Sequence, residues 1–151
     1  MANDKLVNLL YYTDKDPLSH EDLTQEQIQN EIFEKLIKIV PRVGPKETAH
    51  SVVVVRISRG RGLVANSEFK NVIISIETFV PMTQWIIKDT NLRPFAIMGY
   101  IDGILNNSKL TGIGTLNFLS AKELVLNEEF SGYCMFYQAV HGSDDLIPGG
   151  E

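Results

Sequence analysis

The apolar segments of this 151-residue chain arrive in a fixed order, and that order limits the fold. An amphipathic helix is followed by two strands, a second helix and two more strands. Each such segment has an apolar face that must find cover in a shared core. A chain of this length buries roughly two-thirds of its unfolded surface and has room for one such core. The pattern therefore predicts a single α+β domain: a mostly antiparallel sheet packed by two helices, in helix-strand-strand-helix-strand-strand order. The expected boundaries are an N-terminal arm and connector over 1–23, the domain over 24–142, and a mobile tail over 143–151, where SDDLIPGGE is acidic and glycine-rich.

The first helix is expected from Thr24 to Val40. Thr24 and Gln27 have the spacing of a capping box, in which each side chain satisfies an orphaned backbone donor. Ile28, Ile32, Phe33, Leu36, Ile37 and Val40 then share one face, and Gln29, Asn30, Glu31, Glu34, Lys35 and Lys38 the other. Pro41, Gly44 and Pro45 end it. SVVVVRIS at 51–58 is β-branched without alternation and reads as a central strand covered on both faces. VIISIETFV at 72–80 alternates, which gives the second strand one wetter face. Between them, SRGRGLVANSEF reads as a hairpin, with Gly60 and Gly62 supplying the turn and Arg59 and Arg61 at its tip.

A second helix is expected over Arg93 to Asn106, with Pro94 suited to its first turn. Phe95, Met98, Ile101 and Leu105 form its stripe, broadened by Ile97 and Ile104. Gly99 and Gly103 each cost about 1 kcal/mol of helix propensity relative to Ala, which reads as close packing against the sheet or a neighbouring helix. Gly112 to Leu119 and Phe130 to His141 are expected as neighbouring antiparallel strands, with Glu123 to Asn127 either extending the first or standing alone.

Catalytic chemistry finds no support in the residues. His20, His50 and His141 lack metal-ligand spacing, and neither a P-loop nor a GxSxG or HExxH motif is present. GIG at 112–114 opens a strand instead of joining a strand to a helix, which rejects it as a nucleotide fingerprint. The pairs Glu128/Glu129 and Asp144/Asp145 read as solvated turn and tail charges. The expectation is a protein that is not an enzyme and takes no cofactor or metal. Cys134 is the single cysteine, so it forms no internal disulfide. Its apolar run reads as a buried, inert thiol in a reducing compartment. A formal net charge of -5 argues against a protein whose main task is gripping nucleic acid, while leaving room for a local basic patch. With neither a signal-peptide pattern nor a membrane-length apolar run, the chain reads as soluble and unprocessed.

Two segments look built to interact. Residues Lys5 to Tyr12 are too apolar for a free tail, so Leu6, Leu9, Leu10 and Tyr11 must dock, either on their own core or on a neighbouring subunit. RGRG at 59–62 reads either as a glycine hairpin with solvated arginines or as a loop whose backbone donors cradle a phosphate. Leu6, Leu9, Leu10, Tyr11, Arg59 and Arg61 are thus the candidate interface residues.

The element order, and the stretches VIISIETFVPMTQW, RPFAIMGYIDGILNN, GIGTLNFLSAKELVLN and FSGYCMFYQAVH, resemble the phage tail terminator and tail-completion proteins of the head-tail junction. The resemblance runs from the first helix to the end of the chain. It implies a structural virion protein that forms a homo-oligomeric, hexameric ring, caps the tail tube and joins it to the head or neck. The implied partners are further copies of itself, the tail tube protein, neck and head-completion proteins, and the DNA passing through the bore, with no membrane. The implied location is the virion tail or neck, after synthesis in the host cytoplasm. The alternatives are a head-closure or other neck component or, in a different class, a small nucleic-acid-binding module using the Arg59/Arg61 hairpin.

Overall fold

A computed structural model describes residues 3–39, 50–63 and 66–141 of the chain. It begins with a helix, α1 (Asp4–Tyr11), where a short docking segment was expected. Asn3 caps it, its Oδ1 accepting from the Leu6 amide at 3.0 Å.

The capping box at Thr24 and Gln27 is present, but the helix it opens is short. α2 (Gln25–Gln27) passes into a π-helical turn over Ile28–Ile32, and Phe33 is already extended. Glu34 then turns the chain with φ of 66°. The expected helix to Val40 is thus corrected. Leu36 instead accepts a hydrogen bond from the Val53 amide through its carbonyl at 2.8 Å, and Ile37–Lys38 becomes strand β1. Ile37 and Ile39 are β-branched and poor helix formers, and an available sheet edge outweighs the local preference. Ile28, Ile32 and Leu36 are still buried, whereas Phe33, expected on the same face, is exposed: the stripe identified part of the core and misjudged the backbone. Val40, Pro41, Gly44, Pro45 and the tail over 143–151 lie outside the described residues.

β1 joins β2 (Val52–Leu63), β3 (Asn66–Pro81), β6 (Asn117–Val125) and β7 (Phe130–His141) in a five-stranded mixed sheet of order β1-β2-β3-β7-β6. Only β1 with β2 is parallel; the other pairs are antiparallel. Val52, Val53 and Val54 are all buried, as an unbroken β-branched run requires. The central strand, however, is β3. Helix α3 (Arg93–Leu105) packs on one face of the sheet. Cross-strand partners share a face, so Ile74, Ile76 and Thr78 of β3 lie with Tyr137, Met135 and Tyr133 of β7. The Tyr137 hydroxyl donates to Asp102 of α3 at 2.9 Å, and Phe95 of α3 meets the Tyr133 ring at 5.1 Å. At Gly132 of β7 a Cβ would lie 1.8 Å from the Thr78 carbonyl oxygen of β3; only glycine fits there.

Two further expectations are corrected on α3 and beyond it. Pro94, Ile97 and Ile101 face the core, while Phe95 and Ile104 are exposed. A Cβ added at Gly99 or Gly103 meets nothing within 4 Å, so these glycines do not mark close packing within the subunit. GIG at 112–114 starts no long strand either: β4 (Lys109–Leu110) and β5 (Gly114–Thr115) form a small separate hairpin. Gly112 and Gly114 take φ of 77° and 102° there, a region glycine enters without steric cost. Glu123 to Val125 continue β6. No helix among the described residues is long and apolar enough to cross a membrane.

Candidate interaction surfaces

The N-terminal arm is part of its own domain's core. Leu9 and Leu10 are 0% exposed and Leu6 is buried, so of the two docking modes open from sequence the structure has the arm on its own subunit. Tyr11, half-buried at the end of α1, stacks on the His50 ring at 5.9 Å, and His50 Nδ1 lies 2.8 Å from the Tyr11 carbonyl.

The residue that holds the arm was not identified from sequence. Arg93, at the start of α3, is completely buried. Its Nη1 donates to the carbonyls of Leu9 and Tyr12 at 2.7 and 2.6 Å, its Nη2 to Asp14 at 2.5 Å, and its Nε to Gln84 at 3.1 Å. Burial pulls its pKa down and the nearby Asp14 carboxylate opposes that pull. The carbonyls of Leu9, Tyr12 and Asp14 belong to the C-terminal turn of α1 and the segment after it, where a helix leaves acceptors unsatisfied and a cation is favoured. The available signal was an arginine beside a first-turn proline in an apolar helix, which nothing in the periodicity singles out.

Around this clasp the connector is tied down at its surface. His20 Nε2 lies 2.7 Å from Asp14 Oδ2, and its ring stacks on Tyr12 at 3.9 Å. Burial acts to raise the Asp14 pKa, but the Asp16 amide and the His20 contact outweigh it and hold that carboxyl below its usual value. Lys88 reaches Asp16 at 3.0 Å, and that pairing raises the lysine pKa.

Arg59 and Arg61 are not at a hairpin tip. They stand in the β2 ladder, Arg59 opposite Ile73 and Arg61 opposite Asn71, and Gly60 and Gly62 also pair instead of turning. The hairpin closes beyond Leu63, where β2 meets Asn66 of β3. Repeated β pairing with β3 extends the ladder through the glycines, which sequence punctuation alone marked as a turn. The side chains of both arginines lie outside the described residues.

A charged arrangement that was not singled out lies on the face of the sheet away from α3. Arg56 pairs with Glu77 at 2.8 Å, beside Cys134, the cross-strand partner of Glu77. Cys134 is buried, and burial together with the Glu77 charge pushes its thiol up to about 11. It is therefore a poor nucleophile at neutral pH. Among the described residues, no group of three or more His, Cys, Asp or Glu could hold a metal ion.

The surface that sequence reasoning missed is strand β6. It is exposed along its length apart from half-buried Leu124, although Phe118, Leu119 and Val125 are large and apolar. Among the described residues β6 is an edge strand, with β7 as its strand neighbour on one side. Edges present unpaired backbone groups and are natural sites for adding another strand.

Against known proteins, the family model described as YomW matches the chain over residues 3–139. No curated protein matches it.

Proposed function

The chain belongs to the YomW family, a phage-derived protein family, and from that premise we propose that it is a structural virion protein, a ring-forming tail terminator. In this reading it caps the tail tube and joins it to the head or neck, with copies of itself, the tube protein and the neck proteins as partners. The observation that carries the reading is the extent of the family match, which runs over residues 3–139 and so takes in the arm and all but the last two residues of the sheet. The exposed apolar edge of the sheet supports assembly over turnover, because a large apolar strand left open to water usually has a partner.

The experiment is direct. Purified virions or virus-like particles are probed by mass spectrometry and by gold-labelled antibody, and the isolated chain is weighed in solution and imaged. The expected result is label at the head-proximal end of the tail and ring-shaped particles. A chain absent from virions and monomeric at every concentration would end the proposal, and label at the head side of the neck would move it to head closure.

A further inference from the structure

The one tryptophan of the chain stands just past the end of β3, and it is left half-open. The indole N–H of Trp85 donates to the Val80 carbonyl at 3.3 Å, so its polar atom is satisfied within the subunit while its ring joins an aromatic patch. Trp85 lies 6.4 Å from the Tyr133 ring and Phe95 of α3 lies 5.1 Å from it. Tyr133 is half-buried and Phe95 is 49% exposed. The next row of the sheet widens the patch. Val125 of β6 stands opposite Ser131 of β7, whose hydroxyl lies 2.9 Å from Met82 Sδ, and both apolar side chains are open to water, Val125 to 70%. Aromatic rings and a flexible thioether are the groups that the buried centre of an interface favours.

The charges around this patch have one sign. Residues 80–87, 94–101 and 123–133, which build and border it, hold Glu123, Glu128 and Glu129 and no lysine, arginine or histidine. All three carboxylates are exposed. Glu123 is the cross-strand partner of Tyr133 and so shares the face of the rings. The Glu129 carbonyl accepts from the Met82 amide at 2.8 Å, which ties the acidic turn to the patch. Ring faces beside carboxylates attract a cation, a guanidinium above all. What fits is an apolar segment that carries arginines.

The chain has such a segment at the other end of the same sheet. The β2–β3 hairpin over 59–70, RGRGLVANSEFK, holds Arg59, Arg61 and Lys70 against one carboxylate, Glu68, together with Leu63 and Phe69. In a chain of net charge -5 this is a local excess of positive charge. The hairpin closes at the start of β3 and the patch forms at its end. β3 is 16 residues long, roughly 50 Å at about 3.3 Å per residue, so a subunit cannot lay this hairpin on its own patch. A second copy can.

We propose that the aromatic patch around Tyr133 receives the basic β2–β3 hairpin of a second copy, with the arginines of the hairpin meeting the rings and Glu123. A two-fold contact of patch on patch would oppose like charges. Hairpin on patch uses two different surfaces and so generates a ring or an open helix. This contact rests on the ring-forming reading above and supplies its surfaces.

Two full-length proteins test it by exchange of charge. One carries Arg59→Glu and Arg61→Glu, the other Glu123→Arg and Glu128→Arg, and the association of each is followed by sedimentation beside the unaltered chain. Each alone is expected to associate at least about tenfold more weakly, because like charges then face one another. An equal mixture is expected to recover association, since the acidic hairpin of the first fits the basic patch of the second and the two unaltered surfaces still fit each other. Val125→Asn, at the most exposed apolar position of the patch, serves as the second variant, with weaker association and an unchanged unfolding midpoint expected. Undiminished association of either charge variant, or a mixture no better than its parts, would overturn the hairpin as the occupant while leaving the ring reading intact. An unaltered chain that is monomeric at every concentration would also overturn the contact, and the ring reading falls with it only if the chain is absent from virions.

Discussion

The arm and the β6 edge have similar amounts of apolar side chain and opposite fates. Leu6, Val7, Leu9 and Leu10 vanish into the core of their own subunit, while Phe118, Leu119, Val125 and Leu126 remain exposed. Hydrophobicity states that a group gains by leaving water; it does not state which surface receives it. The difference lies in the tie. The arm is fastened by a buried arginine reaching its backbone carbonyls, whereas among the described residues β6 has a strand neighbour on one side only.

The largest test of this contrast removes the arm. Full burial of a Leu or Val side chain is worth about 1.5–3 kcal/mol, so four of them approach the whole stability of a typical domain, about 5–15 kcal/mol. Deleting residues 1–13 is expected to abolish cooperative unfolding of the isolated subunit, and Leu9→Ala alone to cost about 2–5 kcal/mol. A truncated chain that melts at the native temperature would show that the arm is dispensable in its own subunit and reopen the case for a neighbour.

Next in size is the clasp. Hydrogen bonds to charged groups contribute about 1.5–3 kcal/mol each, and orphaned buried carbonyls add their own cost. Arg93→Met keeps much of the volume and removes every donor. It is expected to destabilise by about 3 kcal/mol or more and to increase hydrogen exchange in α1 before the rest of the domain. Equal loss of protection throughout the sheet would mean that the arm is not a separable unit held by Arg93.

How much of this was legible in the chain depends on which interactions are local. The α3 boundaries, the burial of Val52 to Val54 and the capping box at Thr24 follow from short-range patterns, and the structure has them. The break after Ile32 does not, because the competitor is a strand that begins twenty residues later, at Val52. Arg93 was invisible for the same reason: its partners Leu9, Tyr12 and Asp14 lie about eighty residues away. Of the candidate interface residues, the arm's apolar character was legible but not its destination. Arg59 and Arg61 were misplaced because glycine marks permission to turn, and long-range pairing with β3 kept the chain straight. The aromatic patch at Trp85, Phe95 and Tyr133 requires the register of β6 on β7 and the approach of α3, which composition does not contain.

Two buried groups give the core a pH signature. Burial first, then the bond to Asp102, raises the Tyr137 pKa above its usual value near 10, and burial lifts Cys134 from near 9 to about 11. A raised folded pKa gives stability that is intact below the unfolded value and lost as pH climbs through the folded one. Unfolding followed by denaturant from pH 8 to 11 is therefore expected to show a decline beginning near pH 9, shallower in Cys134→Ser and shallower still when Tyr137→Phe is added. A decline identical in all three proteins would assign it to other groups.

The smallest effect sharpens the contrast on the outward side of α3. Gly99 and Gly103 lie one helical turn apart, and the positions their side chains would occupy are empty. In a helix interior Ala is better than Gly by about 0.8–1 kcal/mol, largely because glycine surrenders more backbone freedom on folding. Gly99→Ala and Gly103→Ala are therefore each expected to stabilise the isolated subunit by up to about 1 kcal/mol, which for a domain of this size raises the melting temperature by roughly 2–4 °C. Both are read by thermal unfolding, singly and together, and two sites a turn apart without shared partners should add. A loss of stability in the isolated subunit would contradict the open space around them. A gain there, combined with weaker assembly at equal concentration, would show that the face is open only until a second copy arrives, and would set it beside β6 instead of beside the arm.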